Sequence, residues 1–167
     1  MAKFWESGSG AAEGDHAKVA VRPPVLFGAP LLAAMVLEEL LPLGPGLGGG
    51  GMRAVLVGLG LVVLGLVPFG LAVRRFLAAG TNIPTWEPSL ALVEEGPYRC
   101  TRNPIYIGLV TVYFGLAVAM TSVWAVLLLP FLVAVLHYGV VLREEAYLAA
   151  KFGDAYREFQ KRVPRWL

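Results

Sequence analysis

From Ala54 to Val73 the chain runs for twenty residues without a charged side chain, the length of α-helix needed to cross the hydrocarbon core of a bilayer. Lipid offers no partner to backbone N–H and C=O groups, so a segment placed there must satisfy them within its own helix. Three more apolar runs accompany it: Val25 to Leu41, Ile105 to Met120 and Trp124 to Leu142. The pattern predicts an all-α membrane protein with about four transmembrane helices and a cytoplasmic amphipathic helix at the C-terminus. Composition agrees, since 57% hydrophobic against 16% charged residues lies outside the range of soluble domains. A single cysteine, Cys100, excludes an internal disulfide and any multi-cysteine metal site, leaving helix packing to hold the fold. The formal charge of +2 is too small to suggest nucleic-acid binding.

Taken in order, residues 1–24 read as a loose or interfacial segment, with no apolar core placed to make a signal peptide. Pro30 lies inside the first run and Glu38 and Glu39 near its far end, where carboxylates reach headgroup water or, as charges within a span do, face a cavity or the bundle interior. Pro42 to Gly51, rich in glycine and proline, reads as a flexible loop. The second run carries Pro68, a candidate kink, and Gly58, Gly60, Gly65 and Gly70, which allow another helix to approach closely. Phe76 to Arg102 is a long polar connection containing Thr81, Asn82, Pro84, Pro88 and Pro97, and loops of that length tend to carry function. Only Thr121, Ser122 and Val123 separate the third and fourth runs, so these must form an antiparallel hairpin. In the tail, 143–167, the apolar positions Tyr147, Leu148, Phe152, Tyr156 and Phe159 recur at helical spacing, with a bend expected near Gly153. The whole reads as one membrane-embedded domain over 1–167, with spans and loops in 25–142 and the tail closing a site. Four spans put every Lys and Arg except Arg53 on one side, which the positive-inside rule makes cytoplasmic, both termini included.

Two polar clusters on that side are candidates for chemistry. In Gly96 to Gly108, Asn103 is a favoured N-cap and Pro104 suits the first helical position. The helix they start would direct unpaired N–H groups and its dipole toward an anion. Read alone, a cap with arginines reaching the membrane surface accounts for it equally well. In the second cluster, His137, Val141 and Glu144 follow i, i+4, i+7 with Glu145 beside them, which brings an imidazole and two carboxylates to the mouth of the fourth span. Acidic residues at a helix start also simply complement the dipole.

Together the clusters resemble the integral-membrane methyltransferases of the isoprenylcysteine carboxyl methyltransferase and phosphatidylethanolamine N-methyltransferase group. The matching residues are Gly96-Pro97-Tyr98, then Arg102-Asn103-Pro104-Ile105-Tyr106-Ile107-Gly108, Gly115, and downstream Glu144-Glu145, Leu148, Phe152-Gly153, Tyr156 and Val163-Pro164-Arg165. Many members have His where this chain has Asn103. The resemblance implies S-adenosylmethionine as methyl donor, with S-adenosylhomocysteine as product and no metal. Donor contacts fall on Tyr98, Arg102, Asn103, Pro104, Tyr106, Gly108, His137, Glu144, Glu145, Leu148, Phe152 and Tyr156, and catalytic roles on Glu145 and Arg143. The acceptor implied is lipophilic, drawn from among membrane lipids or lipidated molecules. A protein-S-isoprenylcysteine carboxylate is the preferred reading and a phospholipid amine the alternative; no obligatory protein partner is implied. A non-enzymatic membrane scaffold, its glycines serving helix association, is the rival from another class.

Overall fold

The computed structural model describes residues 15–43 and 50–167. Of the loose segment expected over 1–24, residues 1–14 lie outside the described residues, as do 44–49 of the flexible loop expected over 42–51. Residues 15–22 pack on the bundle instead of lying loose, with Ala17 buried and the Ala20 N–H bonded to the Gly139 carbonyl. Helix α1 covers Pro23–Leu40, entered through two prolines whose fixed φ suits a first turn. Helix α2 covers Met52–Ala78, α3 covers Pro104–Ala119, and α4 begins at Val123. The expected end of the second span at Arg74 and Arg75 is overrun by one turn, because cations favour the negative end of a helix. The chain then leaves α2 through Gly80 at φ 62°.

A larger difference concerns the fourth span and the tail. Instead of a break near Arg143, one rod continues from Val123 to Phe152. It consists of α4 (Val123–Leu136), a widened π turn (His137–Val141) and α5 (Leu142–Phe152). Leu142–Phe152 is built of strong helix formers (Leu, Arg, Glu, Ala, Lys), so the helix has no local reason to stop where the polarity changes. It stops at Gly153, whose φ of 56° suits a residue without a Cβ. Helix α6, Asp154–Arg162, then turns back under the bundle with Tyr156 and Phe159 on its buried face.

Among the described residues the architecture is all-α. The rods α1, α2 and Val123–Phe152 are long and apolar enough to span a membrane, with α3 a shorter apolar helix of 16 residues. Leu56, Val63, Leu64 and Phe131 are exposed on the outer faces, as apolar side chains are where lipid surrounds a protein. The chain is an integral membrane protein.

Helices α2 and α3 meet backbone to backbone through two glycine pairs. A Cβ on Gly58 would lie 2.5 Å from the Gly115 carbonyl oxygen, and one on Gly65 would lie 2.6 Å from that of Gly108. Reciprocally, a Cβ on Gly115 would come within 2.7 Å of the Gly58 oxygen and one on Gly108 within 2.6 Å of the Gly65 oxygen. In lipid such close packing takes the place of the hydrophobic effect as the force between helices. Helix α1 packs on α4 and α3, with Ala34, Ala117 and Ala125 at the contact. At that end Ser122 caps α4 by accepting from the Ala125 N–H and donates to Glu38 Oε2 at 2.9 Å, so Glu38 has a protein partner instead of water alone. The Tyr113 hydroxyl donates to the Ala125 carbonyl and ties α3 to α4.

Gly65→Ala should therefore lower the unfolding temperature in detergent, at a cost of about 1–3 kcal/mol from forced overpacking. Gly60→Ala, with nothing within 4 Å of its Cβ, should be neutral or slightly stabilising. Thermal unfolding of both variants checks this, and equal shifts would show that the α2–α3 contact does not depend on glycine.

Candidate functional site

Where α2, α3, α5 and α6 come together at the polar end of the bundle, they enclose a cavity of about 500 Å³, within the range of small-molecule sites. Its wall combines Tyr98, Arg102 and Tyr106 from the start of α3 and the turn before it, Glu144, Glu145 and Leu148 from α5, and Tyr156 and Phe159 from α6. Phe27, Phe69 and Leu109 extend it toward the apolar part of the spans.

The polar wall is organised by Glu145, which is 7% exposed. Arg165 approaches it as a fork, Nε donating to Oε1 at 2.9 Å and Nη2 to Oε2 at 2.8 Å. Arg102 stands beside the same carboxylate, with Nη1 3.2 Å from Oε1, an ion pair without hydrogen-bond alignment. Arg102 is itself nine-tenths buried, and among the described residues its Nε and Nη1 have no hydrogen-bond partner. Buried donors without acceptors are rare and costly. Thr85 Oγ1, also on the cavity wall, is another.

Glu144 faces a different set of neighbours. Its Oε1 accepts from the Tyr106 hydroxyl at 2.7 Å, and among the described residues no cation pairs with it. Burial, and next the charge of Glu144, raise the Tyr98 phenol well above its ordinary pKa. Burial, then Glu145, pushes Tyr156 up to about 12. Both phenols therefore stay neutral at physiological pH and present polarisable faces and hydroxyl groups.

Two segments close the cavity on the solvent side. One is the connection after α2, folded on itself by Thr81 Oγ1, which accepts from the Leu90 N–H at 2.8 Å, and by Asn82, which donates to the Pro88 carbonyl. Ile83, Thr85, Trp86 and Val93 from this connection line the cavity. No motif marks these individual residues in the sequence. The other is 15–22, where the buried Ala17 lines the cavity, the Ala20 N–H donates to the Gly139 carbonyl of the π turn, and Arg22 sits over the Trp86 ring. Tyr147 joins them. Its hydroxyl accepts from the Ser89 N–H at 3.1 Å and from Lys151, and donates to the Asp15 carboxylate at 3.1 Å. Lys151 also pairs with Asp15 at 2.6 Å.

Of the residues singled out from sequence, Tyr98, Arg102, Asn103, Tyr106, Glu144, Glu145, Leu148 and Tyr156 lie on the cavity wall, while Pro104, Gly108, His137, Arg143 and Phe152 do not. Pro104 is buried at the helix start and Gly108 is used by the contact with α2. Phe152 packs in the cluster around Tyr156 and Val163. His137 was placed by assuming a regular α-helix; the π turn inserts an extra residue per turn, and the ring packs on Tyr138 and Trp166 instead. Arg143 points to the outer surface and donates to the Lys18 carbonyl. Asn103 is the N-cap of α3 by position, but its side chain makes no capping bond. Its Nδ2 donates to the Arg165 carbonyl at 2.9 Å, because the returning tail supplies an acceptor. Glu38 and Glu39 lie away from the cavity wall. Sequence reasoning gave Arg165 no role, and its place in the resemblance, after Val163 and Pro164, was the one signal available.

A family model for phospholipid methyltransferases matches residues 53–155. The chain belongs to this family. It is 32% identical over 73 residues to the protein-S-isoprenylcysteine O-methyltransferase of Schizosaccharomyces pombe, a stretch covering 44% of this chain and 31% of that one. It is 46% identical over 35 residues to an uncharacterized protein of Haemophilus influenzae, covering 21% of this chain and 56% of the other. The matched stretches thus span less than two thirds of either relative's length. No solved structure matches. The matched region contains the start of α3 and the acidic pair of α5, and it ends just before Tyr156, ahead of Arg165.

Removing the Tyr147 hydroxyl should loosen the closing segments, since each hydrogen bond contributes about 0.5–1.5 kcal/mol. In a Cys100→Ser background, labelling of Ala17→Cys by a water-soluble maleimide should quicken about two- to ten-fold on adding Tyr147→Phe. An unchanged rate would show that Tyr147 does not hold the 15–22 segment.

Proposed function

We propose that the chain is an S-adenosylmethionine-dependent methyltransferase acting on a lipophilic acceptor at the cytoplasmic face of the membrane. The observation that carries this is Arg102: a guanidinium nine-tenths buried, whose Nε and Nη1 have no hydrogen-bond partner among the described residues, on the wall of a cavity of about 500 Å³ that Glu144 also lines. The donor fits those groups by chemistry. Its α-carboxylate suits Arg102 and the start of α3. Its ammonium or ribose hydroxyls suit Glu144, whose Oε2 has no protein partner among the described residues, whereas both oxygens of Glu145 are taken by Arg165. The aromatic faces of Tyr98 and Tyr106 suit a sulfonium, and Leu148, Tyr156 and Phe159 form an apolar slot for adenine. When bound, S-adenosylmethionine supplies an electrophilic methyl group. The protein's own part is alignment and the exclusion of water by the 15–22 and 82–93 segments.

For the acceptor, the relative in Schizosaccharomyces pombe motivates a prenylated cysteine carboxylate. Such an acceptor is already a nucleophile, and its tail would run along Phe27, Phe69 and Leu109 between the spans. A phospholipid amine is the second reading, favoured by Glu144. An ammonium must lose a proton before it reacts, and in this reading Glu144 serves as the base instead of as a donor contact, while Arg143, turned toward Lys18, receives no acceptor carboxylate. Release of label from methyl-labelled donor to prenylcysteine analogues or to phosphatidylethanolamine vesicles separates the two.

Calorimetry on purified protein should show S-adenosylmethionine binding without a partner. Glu144→Gln should weaken it by about 1.5–3 kcal/mol, ten-fold or more, whereas Asp154→Asn, at a side chain 92% exposed, should leave it unchanged. No binding by the parent protein would overturn the donor assignment and favour a scaffold.

The orientation rests on the lopsided placement of cations. Cysteine probes at Gly8 and Lys161 should react from the cytoplasmic side and a probe at Gly48 from the opposite side. Labelling of Gly48→Cys from the cytoplasm would reverse or break this topology.

A further inference from the structure

Arg165 lies outside the span matched by the family model, yet it makes the shortest and best aligned contacts to the buried carboxylate at the centre of the site. Its backbone is fixed by the residues that flank Arg102. Thr101 Oγ1 and Asn103 Nδ2 both donate to the Arg165 carbonyl, at 3.0 and 2.9 Å, and the Arg102 N–H donates to the Pro164 carbonyl at 2.9 Å. The tail is thus laid alongside the start of α3 so that two guanidinium groups converge on one carboxylate. A planar fork matches a carboxylate bidentately, and Arg165 takes that geometry, one nitrogen on each oxygen. Arg102 is left with an unaligned approach and with donors that nothing among the described residues satisfies.

We propose that Arg165 is a positioning residue: by taking the aligned positions on Glu145, it limits Arg102 to an unaligned ion pair there and so leaves Arg102's hydrogen-bond donors available to the carboxylate of the methyl donor. The proposal rests on the donor reading above and adds the means by which the anion site is kept open. Without Arg165, Glu145 would be a buried anion with one cation in reach, and an uncompensated buried charge is costly enough to turn that cation toward it. Arg102 would then close on Glu145 and cease to be a receptor.

The test compares S-adenosylmethionine with its decarboxylated analogue, which keeps the sulfonium, ammonium, ribose and adenine, by calorimetry on the full chain in lipid nanodiscs. The parent protein should prefer the complete donor about ten-fold or more. Arg165→Met should lower affinity for S-adenosylmethionine to that of the analogue while leaving the analogue's own affinity unchanged, and Arg165→Lys should keep part of the preference. Adding Glu145→Gln to Arg165→Met should restore it, because no carboxylate then remains to capture Arg102. A purely structural role predicts equal losses for both ligands, and that result in either Arg165 variant would overturn the proposal, as would a preference that survives Arg165→Met. Should Arg165→Met fail to fold, the Lys variant and the double variant decide. Binding of neither ligand by the parent protein would overturn the donor reading itself, whereas binding of both with equal affinity would overturn the anion site alone.

Discussion

A buried carboxylate cannot stay charged without nearby cations, and Glu145 meets that need by drawing the start of α3 and the end of the chain onto α5. Breaking such a pair by removing one partner commonly costs about 3–5 kcal/mol, far more than an exposed ion pair contributes. The contrast is visible within this tail, where Arg157–Asp154 and Lys161–Glu158 are exposed pairs along one face of α6. Those two pairs solubilise a helix, whereas Glu145 decides where that helix goes. With the backbone at Pro164 and Arg165 pinned by Thr101, Arg102 and Asn103, Tyr156, Phe159 and Val163 pack in the cluster with Ala72, Val93 and Tyr98, and the cavity has its floor and one wall.

The bundle behind the site is built to resist deformation. Backbone contact at Gly58–Gly115 and Gly65–Gly108 leaves α2 and α3 no compressible side chains between them, so Phe69 and Phe76 on one helix and Tyr106 and Leu109 on the other face the cavity at a fixed separation. The closing segments are of another character. They are held by single hydrogen bonds converging on Tyr147, by the exposed Asp15–Lys151 pair and by the stacking of Arg22 on Trp86. Interactions of that size place a segment at the low-stability end of a structure, where parts that must open for a ligand are found. A rigid interior and a weakly latched cover are what a site needs if it must exclude water and still exchange a soluble cofactor.

Much of the fold was legible because a membrane narrows the choices: apolar length and glycine placement define helices α1 to α4 before any tertiary contact is considered. Two features were not. The π turn at His137–Val141 has no composition signal, and it invalidates the phase argument that put His137 beside Glu144. The continuation of the helix through Arg143 was hidden by a change of polarity that concerns solvent, not backbone. At the site, Tyr98, Arg102, Tyr106 and the acidic pair could be found because they recur in spaced order around a hairpin. Trp86 could not, and Arg165 was marked only by its place in the spaced pattern, since each is positioned by a long-range contact, Arg22–Trp86 or Thr101–Arg165, that no local pattern encodes. Asn103 shows the limit most clearly. Its residue type suits a cap, yet a carbonyl from 62 residues away claimed its side chain.

Charge balance gives the site a reason for its composition. Arg102 and Arg165 converge on Glu145, while Glu144 and, at the rim, Glu87 line the cavity with no cation of their own among the described residues. A donor that carries one carboxylate, one ammonium and one sulfonium would bring a single net positive charge into a low-dielectric space, and such a charge is tolerated only if something offsets it. A carboxylate acceptor offsets it directly, and both charges are lost in the products, so a poorly solvating environment favours reaction over the bound state. An amine acceptor leaves the charge in place until a proton is given up, and Glu144 is then the one inner-wall carboxylate free to take it, because Glu145 is held by two arginines. The two acceptor chemistries thus make opposite demands on one residue. The ionisation of Glu144 during turnover, more than the shape of the apolar channel, is the property that distinguishes them.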